Sequence, residues 1–187
     1  MKRALFTLIS LQLFLICRPQ APNQTQIDSS SDTEIPEKEL IGKSFPFYKI
    51  SNKNKSWSNH SLLGKTVYIN FWFAACAPCM AEMPQINDLY EHFKADTNFV
   101  MLSFSFDEQG VIDSIKTARK MEYEIFRASQ EECRRLNRTH SYPANVVVDK
   151  DGITRFYETG GLMMGWLTTR HFKSKLYPEI EKSLGTR

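Results

Sequence analysis

The sequence carries almost no excess charge of either sign: 24 lysines and arginines stand against 21 aspartates and glutamates, a formal +3. Lys2 and Arg3 are two of those 24, which leaves 22 basic against 21 acidic side chains beyond residue 16. So close a balance supplies no electrostatic footprint for nucleic acid or for an anionic membrane surface. Cysteine is scarce, four in 187 residues, and His60, His92, His140 and His171 follow no ligand spacing. The apolar stretch over residues 4–16 is broken by Thr7, Ser10 and Gln12 and is too short to span a bilayer. There is no internal repeat, which argues against a stacked array. What is present is an ordinary globular composition, 42% hydrophobic and 24% charged, in a chain long enough for one good core.

The opening "MKRALFTLISLQLFLICRPQ" puts two positive charges ahead of that apolar stretch, with Arg18 and Pro19 behind it. This is the layout of a secretory leader, so residues 1–17 are expected to direct export. Cys17, directly after the apolar run, resembles the lipid-modified cysteine of bacterial lipoproteins. Residues 18–39 are polar and rich in Pro, Ser, Asn and Gln. They cannot bury enough surface to offset their ordering entropy and are expected to form a flexible tether, with the globular domain over residues 40–187.

Within that domain, "TVYINFWF" (66–73) is apolar on both alternating faces except at Asn70, as expected of a central strand covered on both sides. The next run, to about residue 94, places Met83, Ile86, Leu89, Tyr90 and Phe93 along one helical face. A second apolar strand (99–106), a helix carrying Val111, Ile112 and Ile115, a short strand near 125–127 and a helix near 130–137 follow. "ANVVVDKDGITRFYE" reads as two strands joined by an Asp-Gly turn at 149–152, and a C-terminal helix interrupted near Pro178 closes the chain. Upstream, residues 39–65 read as a strand pair and a turn. The pattern predicts an α/β fold: a mixed central sheet flanked by helices, with an N-terminal β-hairpin extension.

Cys76 and Cys79, in "CAPC", stand at the predicted strand-to-helix junction. A metal clip would need about four ligands, and only Cys133 and His140 are at hand, at unfamiliar spacing, so no metal is expected. A structural disulfide would close so small a loop that it constrains the unfolded chain little. A redox pair suits the position better. Cys76, ahead of the first helical turn, would face unpaired N–H groups and the positive end of the helix dipole, which stabilise a thiolate. Cys79, one turn on and less exposed, would resolve the mixed disulfide formed by Cys76. Pro78 suits the helix start.

The run "GKTVYINFWFAACAPCMAEMP" resembles the exported TlpA/ResA-like thiol-disulfide oxidoreductases of the thioredoxin superfamily. The opening "IGKSFPF", Asn70, Glu82 with Pro84, and "YPANVVVDKDG" extend the match over most of the domain. The resemblance implies a thioredoxin-like fold, no cofactor beyond the Cys76–Cys79 dithiol, and a cis Pro143 lying against the disulfide. It also implies a partly buried acid at Glu82 that serves the cysteines as proton acceptor, in place of the strand aspartate that thioredoxins carry where this chain has Asn70. Trp72, Ala77, Pro78, Tyr142 and Pro143 become the expected substrate-binding residues. Ala75 stands where relatives have tryptophan and Phe73 where many have alanine, so the surface around Cys76 is altered. The implied partners are exported proteins bearing thiols or disulfides and a membrane thiol reductant upstream, with no nucleic acid and with membrane contact only through a lipid anchor. Two rivals are a peroxiredoxin-like peroxidase and a non-catalytic binding module. Cys133 reads as a structural thiol, Met163 and Met164 as loop packing, and Trp166 as a core or groove aromatic.

Overall fold

The computed structural model describes residues 33–46, 48–51 and 56–185. The leader, Cys17 and the first part of the expected tether lie outside the described residues. A short helix α1 (Glu37–Leu40) leads to an antiparallel pair, β1 (Lys49–Ser51) and β2 (Ser56–Ser58), and a single 3₁₀ turn at His60–Leu62. The central unit then runs β3 (Thr66–Trp72), α2 (Ala77–Phe93), β4 (Phe99–Ser105), α3 (Gln109–Ala118), β5 (Glu124–Arg127), α4 (Gln130–Leu136), β6 (Ala144–Val148) and β7 (Thr154–Thr159). Helices α5 (Gly165–His171) and α6 (Tyr177–Leu184) finish it, joined by a π-helical segment over Phe172–Leu176. Pro178, in the first turn of α6, cannot donate to the carbonyl one turn back, and the wider turn just ahead of it takes up the mismatch.

The five strands lie in the order β5-β4-β3-β6-β7, parallel from β5 to β3 and antiparallel beyond. Every residue of β3 is buried, because this strand has neighbours on both edges and helices on both faces. Its alternation sorts the core into two. Tyr68 and Trp72 point into one cluster with Cys79, Met83, Ile86 and Leu89 of α2, Ile112 of α3 and Ile180 of α6. Val67, Ile69 and Phe71 point into the other, with Phe45, Tyr48, Phe104, Phe126, Cys133 and Leu136. The steps β3-α2-β4 and β4-α3-β5 move in one direction across the sheet, and right-handed crossovers then put α2 and α3 on the same face.

The last part of the expected tether is docked. Ile35 N–H donates to Arg138 O at 2.9 Å, and the Glu37 carboxylate accepts from the backbone N–H of Thr159 at 2.7 Å and from its hydroxyl. Glu37 thereby closes the end of the edge strand β7, whose outer polar groups would otherwise be unpaired, so the ordered domain starts a few residues ahead of residue 40. At the 149–152 turn, Gly152 has φ 78°, the left-handed conformation the Asp-Gly pair anticipates.

Candidate active site

The site is built where β3 hands over to α2. Cys76 caps the helix: its Sγ accepts the N–H of Cys79 at 3.2 Å, and Pro78 lies in the first turn, where the missing N–H leaves no gap in the ladder. Cys76 and Cys79 are joined as a disulfide with Cα atoms 5.2 Å apart. Cys76 keeps 5% of its surface and Cys79 1%, so the outer sulfur is the one a partner reaches first. The loop that presents them is pinned from β4: Asp107 Oδ2 accepts from the N–H of Ala74 at 2.6 Å and from the Ser105 hydroxyl at 2.8 Å. Asp107 escapes sequence reasoning because its partner lies 33 residues away. Cys133 is free and buried in the opposite core. Burial, with Glu132 and Asp107 behind it, pushes its thiol up to about 12, so it is an inert thiol rather than a third redox centre.

Glu82 lies one turn beyond Cys79 on the same helix and is 1% exposed. Its hydrogen bonds are long: Asn70 Nδ2 donates to Oε1 at 3.4 Å, and Asn145 Nδ2 sits 3.4 Å from both oxygens. Tighter bonds join the amides to their own neighbours. Asn145 Oδ1 accepts from the Tyr68 hydroxyl at 2.6 Å and from Asn70 Nδ2 at 3.0 Å. Long donors compensate a buried charge weakly. Burial therefore dominates and, helped by the Glu158 charge, raises the Glu82 carboxyl from 4.5 to about 8 against the Asn145 and Asn70 bonds. The acid is neutral for the most part at pH 7 and close in proton affinity to an ordinary thiol, about 8.5, which is the match proton transfer requires.

The expected groove residues divide. The Tyr142–Pro143 bond is cis. Gly161, in the loop after β7, fits between Pro78 and Pro143: a Cβ there would come within 3.0 Å of Pro78 Cβ and 3.1 Å of Pro143 Cγ. Ala77 and Pro78 form the first turn of α2, beside Cys76. Tyr142 packs edge-on against Phe73 at 5.3 Å and Phe106 at 5.8 Å, and those two rings stack on each other at 5.2 Å. This trio occupies the rim of the strand ends beside the cysteine loop, and Phe106 is the member the sequence alone does not flag. Trp72 is a correction. Expected at the groove, it is fully buried, with Nε1 donating to Ser103 Oγ at 2.8 Å, because it still belongs to β3, which is covered along its whole length, and packs on the face that meets α2. Met163 and Met164 are a second correction, since they are 63% and 54% exposed rather than packed, and Trp166 beside them is 64% exposed.

Comparison with known proteins agrees with this geometry. The profile of the AhpC/TSA family matches residues 41–157. The chain belongs to the AhpC/TSA family. Within the thioredoxin superfamily it is TlpA/ResA-like, and it is a thiol-disulfide oxidoreductase. The thiol-disulfide oxidoreductase ResA of Bacillus cereus is 31% identical over 121 residues, covering 62% of this chain and 68% of the relative. The thiol-disulfide oxidoreductase YkuV of Bacillus subtilis is 28% identical over 126 residues, with 62% and 85% covered. A thioredoxin-family thiol:disulfide interchange protein from Chlorobium tepidum shares the fold at a TM-score of 0.57 and 19% identity, over 76% of this chain and 97% of its own.

Proposed function

We propose that this AhpC/TSA member is an exported reductase of disulfides in other envelope proteins, working through Cys76 and Cys79, with the supply of thiols for cytochrome c maturation as its setting. The observation that carries the reading is the pair itself: a disulfide capping α2 with its outer sulfur on an N–H and a buried carboxyl one turn behind its inner one. As thiolate, Cys76 attacks a substrate disulfide and forms a mixed disulfide. Cys79 then gives its proton to ionised Glu82 and attacks Cys76, releasing the substrate reduced. Each turnover leaves the pair oxidised, so an upstream dithiol must return two electrons, and a membrane thiol reductant fits that place. The acid supports the reducing direction. In its ionised form, the form that accepts from Cys79, the carboxyl disfavours the Cys79 thiolate, whereas a strong oxidant needs its reduced form stabilised. Export rests on the Lys-Arg and apolar opening of the sequence, and anchoring on Cys17.

Docking of substrate falls to the surface around Gly161, which lies against Pro78 and Pro143 and is followed in the chain by the exposed Leu162, Met163, Met164 and Trp166. The deciding experiment is Cys79→Ser in the full chain, offered a disulfide-bearing protein. Mixed disulfides on Cys76 should accumulate by mass spectrometry, because the resolving thiol is gone. A chain that binds the protein but never forms them is a binding module with a structural disulfide.

A further inference from the structure

Glu82 lines a cavity of about 260 Å³ together with Asn145, Glu158 and His171 and the loop after β7. Two of these lining residues are paired: His171 Nε2 lies 2.7 Å from Glu158 Oε2, with the two side chains 30% and 34% exposed. We infer that the Glu158–His171 pair, through this cavity, is the proton-exchange group that connects Glu82 with bulk water during thiol-disulfide exchange.

The inference rests on the exchange reading and supplies a step that reading leaves open. In the resolving step the Cys79 thiol loses its proton to Glu82 and its sulfur bonds to the Cys76 sulfur. The bond from Cys76 to the substrate breaks, which completes the transfer of two electrons from the cysteines to the substrate over the two steps, and the departing thiolate takes a proton from solvent. Glu82 is left protonated and must release that proton before it can accept another. At 1% exposure it has almost no surface for doing so directly. The cavity has volume for several waters, at roughly 30 Å³ each, and polar side chains along its wall, which is what a water chain needs. A neutral imidazole carries a donor on one ring nitrogen and an acceptor on the other, the arrangement by which one side chain can pass a proton on.

The other titratable neighbours do not serve. Tyr68 on β3 and Tyr123 ahead of β5 interact electrostatically with Glu82 from the sheet side, and burial pushes both hydroxyls up, so they stay neutral and cannot accept a proton. Glu158 is the charge that acts on Glu82, as a group across a shared cavity should. Thr168 also lines the cavity, but its hydroxyl is held on Leu162 O at 3.0 Å and Met164 O at 3.2 Å.

The test uses the full chain with His171→Gln, whose amide N–H can still donate to the Glu158 carboxylate but cannot take up and pass on a proton, and Glu158→Gln as a second variant. Turnover of oxidised glutathione is followed against pH in dilute buffer, with and without added imidazole. Both variants should turn over about tenfold more slowly near neutrality, a fraction of the hundredfold or more ascribed to a direct acid–base group. Imidazole should restore the rate of His171→Gln and leave the parent unchanged. Equal rates in parent and variants overturn the relay, and so does a lost rate that imidazole fails to recover. The equilibrium of the Cys76–Cys79 disulfide with glutathione, measured in the same samples, separates the two claims. If the parent pair never equilibrates, the exchange reading fails first; if it does, and the variants equilibrate alike, the rate data bear on the relay alone.

Discussion

Replacing Glu82 by glutamine separates the buried proton from the fold around it. In the native chain burial carries this carboxyl from 4.5 to about 8, whereas in the unfolded chain it titrates at its ordinary value, about 4.3. Between those limits the native state holds a proton that the unfolded state has released, so stability falls as pH rises, by about 1.4 kcal/mol per pH unit. The contribution is fully present below about pH 4.5, declines through the window and is gone above about pH 8. Across the window it amounts to about 4 to 5 kcal/mol, an upper bound because water in the adjoining cavity screens the ionised form. Glutamine has no proton to lose. Glu82→Gln should therefore lie within about 1 kcal/mol of the parent near pH 5 and be more stable by several kcal/mol near pH 9. Urea unfolding of the oxidised protein at about pH 5, 7 and 9, followed by tryptophan fluorescence, measures this, with Trp72 in the core as reporter. Taking the difference between the two chains at each pH cancels every other titrating group. Midpoints that run parallel from acid to alkaline would refute the argument, since Glu82 would then be titrating in the native state as it does in water.

Two substitutions distinguish packing from docking. Gly161→Ala inserts a methyl against Pro78 Cβ, Pro143 Cγ and the Pro78 carbonyl, the last 3.2 Å away. It should cost about 1 to 3 kcal/mol and raise KM for a protein disulfide such as insulin more than it lowers kcat; an unchanged KM would remove this loop from the docking surface. Trp72→Phe leaves the fully buried Ser103 hydroxyl without its indole partner. It should lower stability by about 2 to 4 kcal/mol with KM unaltered, and a KM effect without a stability loss would return Trp72 to the groove.

The strand–loop–helix unit was legible because its signals are local. An apolar run reads as a covered strand, 3.6-residue periodicity as a helix, and Cys-Ala-Pro-Cys at their junction as a capped, reactive position. Even there the face assignment of Trp72 was missed. An aromatic next to a cysteine loop looks like a rim residue until it is known that β3 is covered on both faces as far as position 72. What surrounds the pair was illegible for a different reason. Phe106 and Asp107 come from the loop after β4, Asn145 from β6, Glu158 from β7 and His171 from α5, and only the order of strands brings them together. Their types are unremarkable one by one: an acid after a strand, an amide inside one. The exposure of Met163, Met164 and Trp166 was hidden by composition, since apolar residues in a loop read as packing unless the loop is known to lie against the outer face of Pro78 and Pro143.

The pairing of Asn70 with Glu82 explains why this chain needs one carboxylate and not two. Asn70, Tyr68 and Trp72 share the face of β3 that meets α2, and Asn70 Nδ2 is within 3.4 Å of Glu82 Oε1. An aspartate at 70 would set a second carboxylate at that distance inside the same core, and two buried acids so close cannot both ionise. The amide instead gives Glu82 a donor while adding no charge. Placing the acid on α2 has a geometric consequence too. Cys79 and Glu82 are fixed by one helical turn, so the spacing of proton donor and acceptor is set within the helix. An acid on the strand would owe that spacing to the packing of strand against helix. The cavity that Glu82 lines with Asn145, Glu158 and His171 then meets the remaining requirement, a way out for the proton.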